Sequence, residues 1–144
     1  MKPITLRAHY PHAPEVVWAE LAQLERHVQW MLDAASLDFV TTTTRGVGTE
    51  FRCRTKIGPF VVTDVMTVTD WVDEQTMAVA HKGIVQGVGR FTLEADGEGG
   101  TFLTWQEQLR FPWYLGGVIG QVIARPIFYQ IWTLNLRNFG RQLP

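Results

Sequence analysis

Polar and apolar positions along this chain change their period twice. Over Ile4–Tyr10 they alternate, with Ile4, Leu6, Ala8 and Tyr10 on one side and Thr5, Arg7 and His9 on the other, the pattern of a half-buried strand. Pro11 and Pro14 end that strand, and Pro14 suits the first turn of a helix, where its missing N–H is not needed. Val17, Trp18, Leu21 and Leu24 then recur at helical spacing, and a second short helical piece is expected to carry Val28, Trp30 and Met31. From there the period returns to two. Strands are predicted over Leu37–Thr43, Glu50–Ile57, Val61–Trp71, Thr76–His81, Gly87–Ala95 and Thr101–Phe111, separated by turns rich in glycine and aspartate.

The cleanest of these is Glu50–Ile57. Phe51, Cys53, Thr55 and Ile57 lie on one face and Glu50, Arg52, Arg54 and Lys56 on the other, so the sheet has a wet outer side, as antiparallel sheets allow. Seven strands joined by short turns make a curved antiparallel sheet, and such a sheet needs a second layer to bury its apolar face. The only element long enough is a final helix over roughly Leu115–Phe139, with Trp132, Leu136 and Phe139 at buried spacing and Pro126 expected to kink or split it. The fold class is therefore α+β, a single domain over residues 1–144.

Composition narrows the functional classes. A chain that is 46% hydrophobic and 19% charged is not of the disordered type. Thirteen basic against fourteen acidic residues leave no general excess of positive charge for nucleic acid. The single cysteine, Cys53, excludes an intramolecular disulfide, and the first residues contain no apolar signal-peptide run, so a cytoplasmic location is expected. Trp113–Leu136 is apolar apart from Arg125, but that charge beside Pro126 at its centre argues against a transmembrane span. His9, His12, His27 and His81 form no metal-ligand motif, no serine or cysteine sits in a nucleophile elbow, and no dinucleotide fingerprint is present. Neither a metal nor a cofactor is expected.

The order of one strand, two short helices, six strands and a long helix resembles the helix-grip fold of the START/Bet v 1-like superfamily, also called SRPBCC. Individual segments resemble it too. HAPEVVWAEL, from His12 to Leu21, is similar to that family's helix entry; Trp30 stands where many members have a tryptophan after the second helix; VMTVTDWVDEQTMAV, from Val65 to Val79, is similar to its middle hairpin. An Asp common in the family after the first helix is replaced here around Gln23. The resemblance implies an internal apolar cavity for a hydrophobic small molecule that is lipid-, polyketide- or quinone-like. It also implies, as an alternative, the polyketide cyclase/dehydratase activity of one branch. A fold says little about chemistry, so the residues must carry that part.

The expected cavity wall comprises Phe51, Cys53, Met77, Val79, Phe91, Leu103, Trp105, Leu109, Phe128 and Trp132. Polar side chains on this apolar side are the candidates for chemistry. Glu107 shares a face with Leu103, Trp105, Leu109 and Phe111, and a buried carboxylate must be paired, hydrogen-bonded or protonated. It is either a satisfied structural group or part of the pocket. His81 ends a strand with Met77 and Val79; it is either an edge histidine or a general base oriented by Asp64, its expected diagonal neighbour. The second reading requires Val62, Asp64, Met66 and Val68 to face inwards, and the opposite row, Val61 to Trp71, is equally compatible with the pattern. Direct contact between His81 and Glu107 is not expected, because standard sheet spacing sets them on the order of 10 Å apart. Tyr129, three residues before Trp132, is a further candidate acid or base. A homodimer or other protein contact through the apolar start of the last helix, including Leu115, Ile119, Ile123 and Phe128, is the remaining alternative.

Overall fold

The computed structural model describes residues 2–144. Strand β1 (Ile4–Tyr10) is followed by α1 (Pro14–Leu21) and a 3₁₀ segment (Leu24–Gln29). Then come β2 (Ala34–Phe39), β3 (Glu50–Ile57), β4 (Phe60–Val72), β5 (Thr76–Lys82), β6 (Gln86–Ala95) and β7 (Thr101–Arg110). A second 3₁₀ segment (Trp113–Leu115) leads into α2 (Gly117–Gln142). The sheet order is β1-β7-β6-β5-β4-β3-β2 with every neighbouring pair antiparallel. The chain thus lays down one edge with β1, crosses to the other through α1 and the 3₁₀ segment, and returns strand by strand until β7 pairs with β1. This is the helix-grip α+β architecture.

The alternation of β1 is realised as read: Ile4, Leu6 and Tyr10 are buried, and Tyr10 donates its hydroxyl hydrogen to the Leu136 carbonyl of α2 at 2.7 Å. Only the second half of α2 is sunk into the sheet, through Trp132, Asn135, Leu136 and Phe139. Trp30 packs edge-on against Phe91, Trp105 and Phe139, so one indole joins both layers. Burying a side chain of that size is worth roughly 1.5–3 kcal/mol, which makes this aromatic group the anchor of the helix. Asn135 adds a polar clamp: its Oδ1 accepts from the Leu32 N–H and its Nδ2 donates to Asp33, both at 2.8 Å.

Three features differ clearly from the sequence reading. Strand β2 runs over Ala34–Phe39 instead of Leu37–Thr43, because the threonines after Val40 turn back on themselves: the Thr41 hydroxyl donates to the Thr43 carbonyl at 2.8 Å and accepts from the Glu50 N–H at 3.1 Å. The second helical piece is a 3₁₀ turn that stops before Trp30. Pro126 lies inside one continuous α2 and does not split it. The turn into that helix needs Gly116, whose φ of 89° is left-handed.

The open question of β4 has a mixed answer. Val62, Asp64, Met66 and Val68 face inwards up to a register shift between Val68 and Asp70. The extra residue of that bulge reverses the parity, so Trp71 then turns inwards and meets Trp18 of α1 edge-to-face at 5.2 Å.

Candidate ligand cavity

Between strands β2 to β7 and α2 lies a cavity of about 160 Å³. Phe51 and Cys53 on β3, Met77 and Val79 on β5, Phe91 on β6, Trp105 and Leu109 on β7, and Phe128 and Trp132 on α2 line it, as expected. Leu24, His27 and Met31 close its floor from the 3₁₀ side. Trp105, Trp132 and Phe128 form a stack with ring centroids 5.2 and 5.0 Å apart. Leu103 is a correction: it is fully buried in the core between β1 and β6 and does not reach the cavity.

His81, Glu107 and Asp64 all face this space. Their arrangement differs from the Asp64–His81 dyad of the sequence reading. His81 Nε2 lies 3.1 Å from Glu107 Oε2, and Glu107 Oε1 accepts from the Trp105 indole N–H at 3.1 Å. The contact crosses β6, whose residues between the two partners are Gly87, opposite His81, and Gly89, opposite Glu107. A Cβ at residue 89 would overlap the Glu107 carboxylate. The missing side chain is what lets the carboxylate lie across the strand and reach the imidazole. Backbone spacing alone had suggested a separation of about 10 Å, which is an overestimate once the side chains can lean over a glycine.

Asp64 remains beside this pair without a hydrogen bond: its Oδ1 is buried and unpartnered. Burial raises its pKa above the ordinary carboxylate value, against the opposing pull of His81. For His81, burial favours the neutral ring, but the charge and hydrogen bond of Glu107, with the charge of Asp64, outweigh it and the net shift is upwards. The cavity therefore holds a hydrogen-bonded His81–Glu107 pair next to the buried carboxyl group of Asp64. Such a set can donate a proton, accept one, or anchor a polar group of a bound molecule.

Tyr129 is a second correction. It is 52% exposed and borders a shallow outer groove with Ile4, Arg125, Pro126 and Gln130, on the side of α2 away from the cavity. Trp132, three residues on, points inwards; three residues leave two positions roughly 60° apart around a helix, which puts the tyrosine outside. Three contributors were missed. Asp33 lines the cavity and accepts from Trp132 Nε1 at 3.2 Å, besides Asn135. His27 lies in the floor, with Nε2 2.7 Å from the Leu21 carbonyl, and burial lowers its pKa to about 4, so it is neutral. Gly89 was legible in principle from the Gly87-Val88-Gly89 spacing, two absent side chains on one face of a strand.

Cys53 faces the cavity, but burial pushes its thiol up to about 11, which removes the thiolate needed for nucleophilic chemistry. Among the described residues no set of His, Cys, Asp and Glu converges to hold a metal ion. No helix among them is long and apolar enough to cross a membrane.

No protein-family model and no curated protein matches this sequence. Solved structures do. A protein from Thermus thermophilus superposes with a TM-score of 0.80 at 17% identity, over 96% of this chain and 94% of the other. A conserved protein from Geobacillus kaustophilus gives 0.79 at 14% identity, over 96% and 92%. The ZhuI aromatase/cyclase from a Streptomyces species gives 0.73 at 13% identity, over 98% and 92%. At such identities the likeness speaks for the fold alone, and taken with the strand order, the gripped helix and the cavity it shows that this chain has the helix-grip fold of the START/Bet v 1-like (SRPBCC) superfamily.

Proposed function

We propose that this chain is a single ligand-binding domain that holds a hydrophobic small molecule in the cavity between its sheet and α2. One observation carries the reading: an apolar, aromatic-lined space whose wall includes a few polar side chains, His81, Glu107 and Asp64. Concave apolar walls with a few convergent polar groups are the usual design of such sites. A lipid-, polyketide- or quinone-like ligand larger than a ring must displace part of the wall, since a cavity of roughly 150 Å³ is filled by a molecule of benzene size. A cytoplasmic setting without nucleic-acid partners belongs to the same reading, supported by one free buried cysteine and a net charge of -1. Native mass spectrometry of freshly purified protein tests it. A stoichiometric apolar adduct, released on denaturation, is expected. Protein that arrives empty and takes up no apolar probe in solution overturns the proposal.

The His81–Glu107 contact favours a second reading in the same cavity, a cofactor-independent cyclase/dehydratase. The walls would fold a flexible substrate near its reactive conformation, and the trio would move protons during ring closure or loss of water, a contribution of about 10²–10⁴-fold. His81→Gln and Glu107→Gln then keep ligand affinity while turnover falls by about 10²-fold or more. Turnover that survives both replacements removes these residues from the mechanism.

The exposure of Leu115, Val118, Ile119, Val122 and Ile123 favours a third reading, pairing of two copies through the first half of α2. No charge lies between Trp113 and Ala124, so the face can meet its own copy without burying one. Sedimentation at rising concentration should show a dimer that Ile119→Glu abolishes; a monomer throughout rules this out.

A further inference from the structure

The net charge of -1 conceals a separation of charge along the strands. At one end of the sheet lie the β3–β4 hairpin, where Ile57 pairs with Phe60, the β5–β6 hairpin, and the end of β7, where Arg110 pairs with Gln86. The first half of α2 is held to the same end. The Gln121 side-chain amide donates to the Leu109 carbonyl at 2.6 Å, and Phe111 meets Phe128 edge-on. Lys56, Lys82, Arg110 and Arg125 belong to this end, as does Lys2, whose carbonyl accepts from the Arg125 guanidinium. Residues 54–63, 82–89 and 108–125, which build it, contain no aspartate or glutamate. The adjoining carboxyl groups of Asp64 and Glu107 face the cavity. The turns at the opposite end carry Asp73, Glu74, Asp96 and Glu98 against Arg45.

The same end exposes Phe60 and Ile84 on the hairpins and Trp113, Tyr114, Val118 and Ile119 at the start of α2, Trp113 to 85%. Aromatic rings beside an apolar cluster, with cations around them and no acid, suit a lipid headgroup region. There the rings settle at the polar–apolar boundary, and lysine and arginine meet lipid phosphates. Self-pairing through α2 makes no use of Phe60, Ile84 or the cations, whereas a bilayer engages them all. The cavity also leads here: its wall passes from the buried Leu24, Phe91 and Trp105 to the half-buried Ile57, Val85 and Leu109 at the hairpin end. We infer that this end of the molecule docks on an anionic lipid bilayer. Phe60, Trp113 and Ile119 enter the headgroup region, the five cations meet lipid phosphates, and the cavity is turned towards the membrane. An apolar guest then passes between bilayer and cavity without crossing water. That use rests on the binding function proposed above; the docking itself stands on the surface residues alone.

Cosedimentation with vesicles tests this, using phosphatidylcholine alone and phosphatidylcholine with about one-third phosphatidylglycerol. At low salt the protein should bind the mixed vesicles about tenfold or more tightly than the neutral ones, and the gap should close as salt rises. Phe60→Ser with Ile119→Ser, and separately Lys82→Glu with Arg110→Glu, should each weaken that binding by about tenfold or more. All four positions are exposed, so unchanged urea unfolding verifies that the fold is kept. Absence of binding to the mixed vesicles overturns the docking, and so does binding that either double substitution leaves unchanged. A stable dimer in solution that stays off the vesicles assigns the α2 face to a second copy and overturns it too. None of these outcomes touches uptake of an apolar molecule by the cavity, which the mass-spectrometric measurement reads separately.

Discussion

Glu107 owes its place to a residue with no side chain. Its Oε2 reaches His81 only because β6 offers a glycine at position 89, and its Oε1 is fixed by Trp105, two residues back on the same face of β7. Gly89→Ala should therefore push the carboxylate off the imidazole and cost about 1–3 kcal/mol, read from urea unfolding. Glu107→Gln isolates the electrostatic part. His81 is raised despite its burial because of Glu107, so removing that charge must lower its pKa, which an NMR titration of the imidazole measures directly. The sign extends to stability: with a raised folded pKa, the pair's contribution is fully present below about pH 6.5 and is lost as pH climbs through the folded value. Glu107→Gln should flatten that alkaline loss; an unchanged His81 titration would mean the contact does not set its charge. The parity of β5 and β7 places His81 and Glu107 on the cavity side, while that of β4 leaves the side of Asp64 open. The pairing of the first two was hidden, since it depends on a gap in the strand between them, and alternation records which face a side chain occupies without saying how far it leans.

At the scale of elements, legibility followed the strength of the local pattern. Glu50–Ile57 alternates without exception and forms β3 with the stated boundaries. The stretch after Val40 is rich in β-branched threonine and reads as strand, yet the Thr41 hydroxyl satisfies the backbone of a loop, and β2 lies earlier in the chain. The two rows of β4 could not be told apart because both are used, one on each side of the bulge. In α2 the division is between halves. Its second half is gripped by the sheet; its first half, from Gly117 to Tyr129, holds Pro126 and exposes Val118, Ile119, Val122, Ile123 and Ile127. Proline at position 126 denies the Val122 carbonyl its usual donor and crowds the preceding turn. Pro126→Ala restores that bond at an exposed site, and should raise stability by about 2 kcal/mol, visible as a higher urea midpoint with unchanged slope. A drop instead would show that the proline at this position is what fits Phe128 and Trp132 into the cavity wall.

The whole molecule depends on how the short helical connection is fastened to the sheet, and His27 sits at that junction. It rests against Trp30 and Phe91, with ring centroids 4.9 and 6.3 Å away, and donates from Nε2 to the Leu21 carbonyl at 2.7 Å. Burial lowers its pKa to about 4, outweighing the hydrogen bond to Leu21 and the nearby charges of Glu25 and Glu20. The unfolded chain binds the proton near pH 6.5, whereas the folded chain refuses it until about 4. Between those values the unfolded state carries more protons, so stability falls as pH falls, by about 1.4 kcal/mol per unit and roughly 3 kcal/mol over the whole window. His81 does not mask this, because its raised pKa makes its pairing complete below about pH 6.5. Urea unfolding at pH 7 and pH 5 should therefore show a loss of about 2 kcal/mol in the unaltered protein. His27→Gln, which keeps a donor for Leu21 but cannot take up the proton, starts from a lower stability and should lose much less over the same interval. Equal losses in the two proteins would place the acid sensitivity elsewhere, and would mean that the floor of the cavity admits the charge or the water that a neutral, buried His27 excludes.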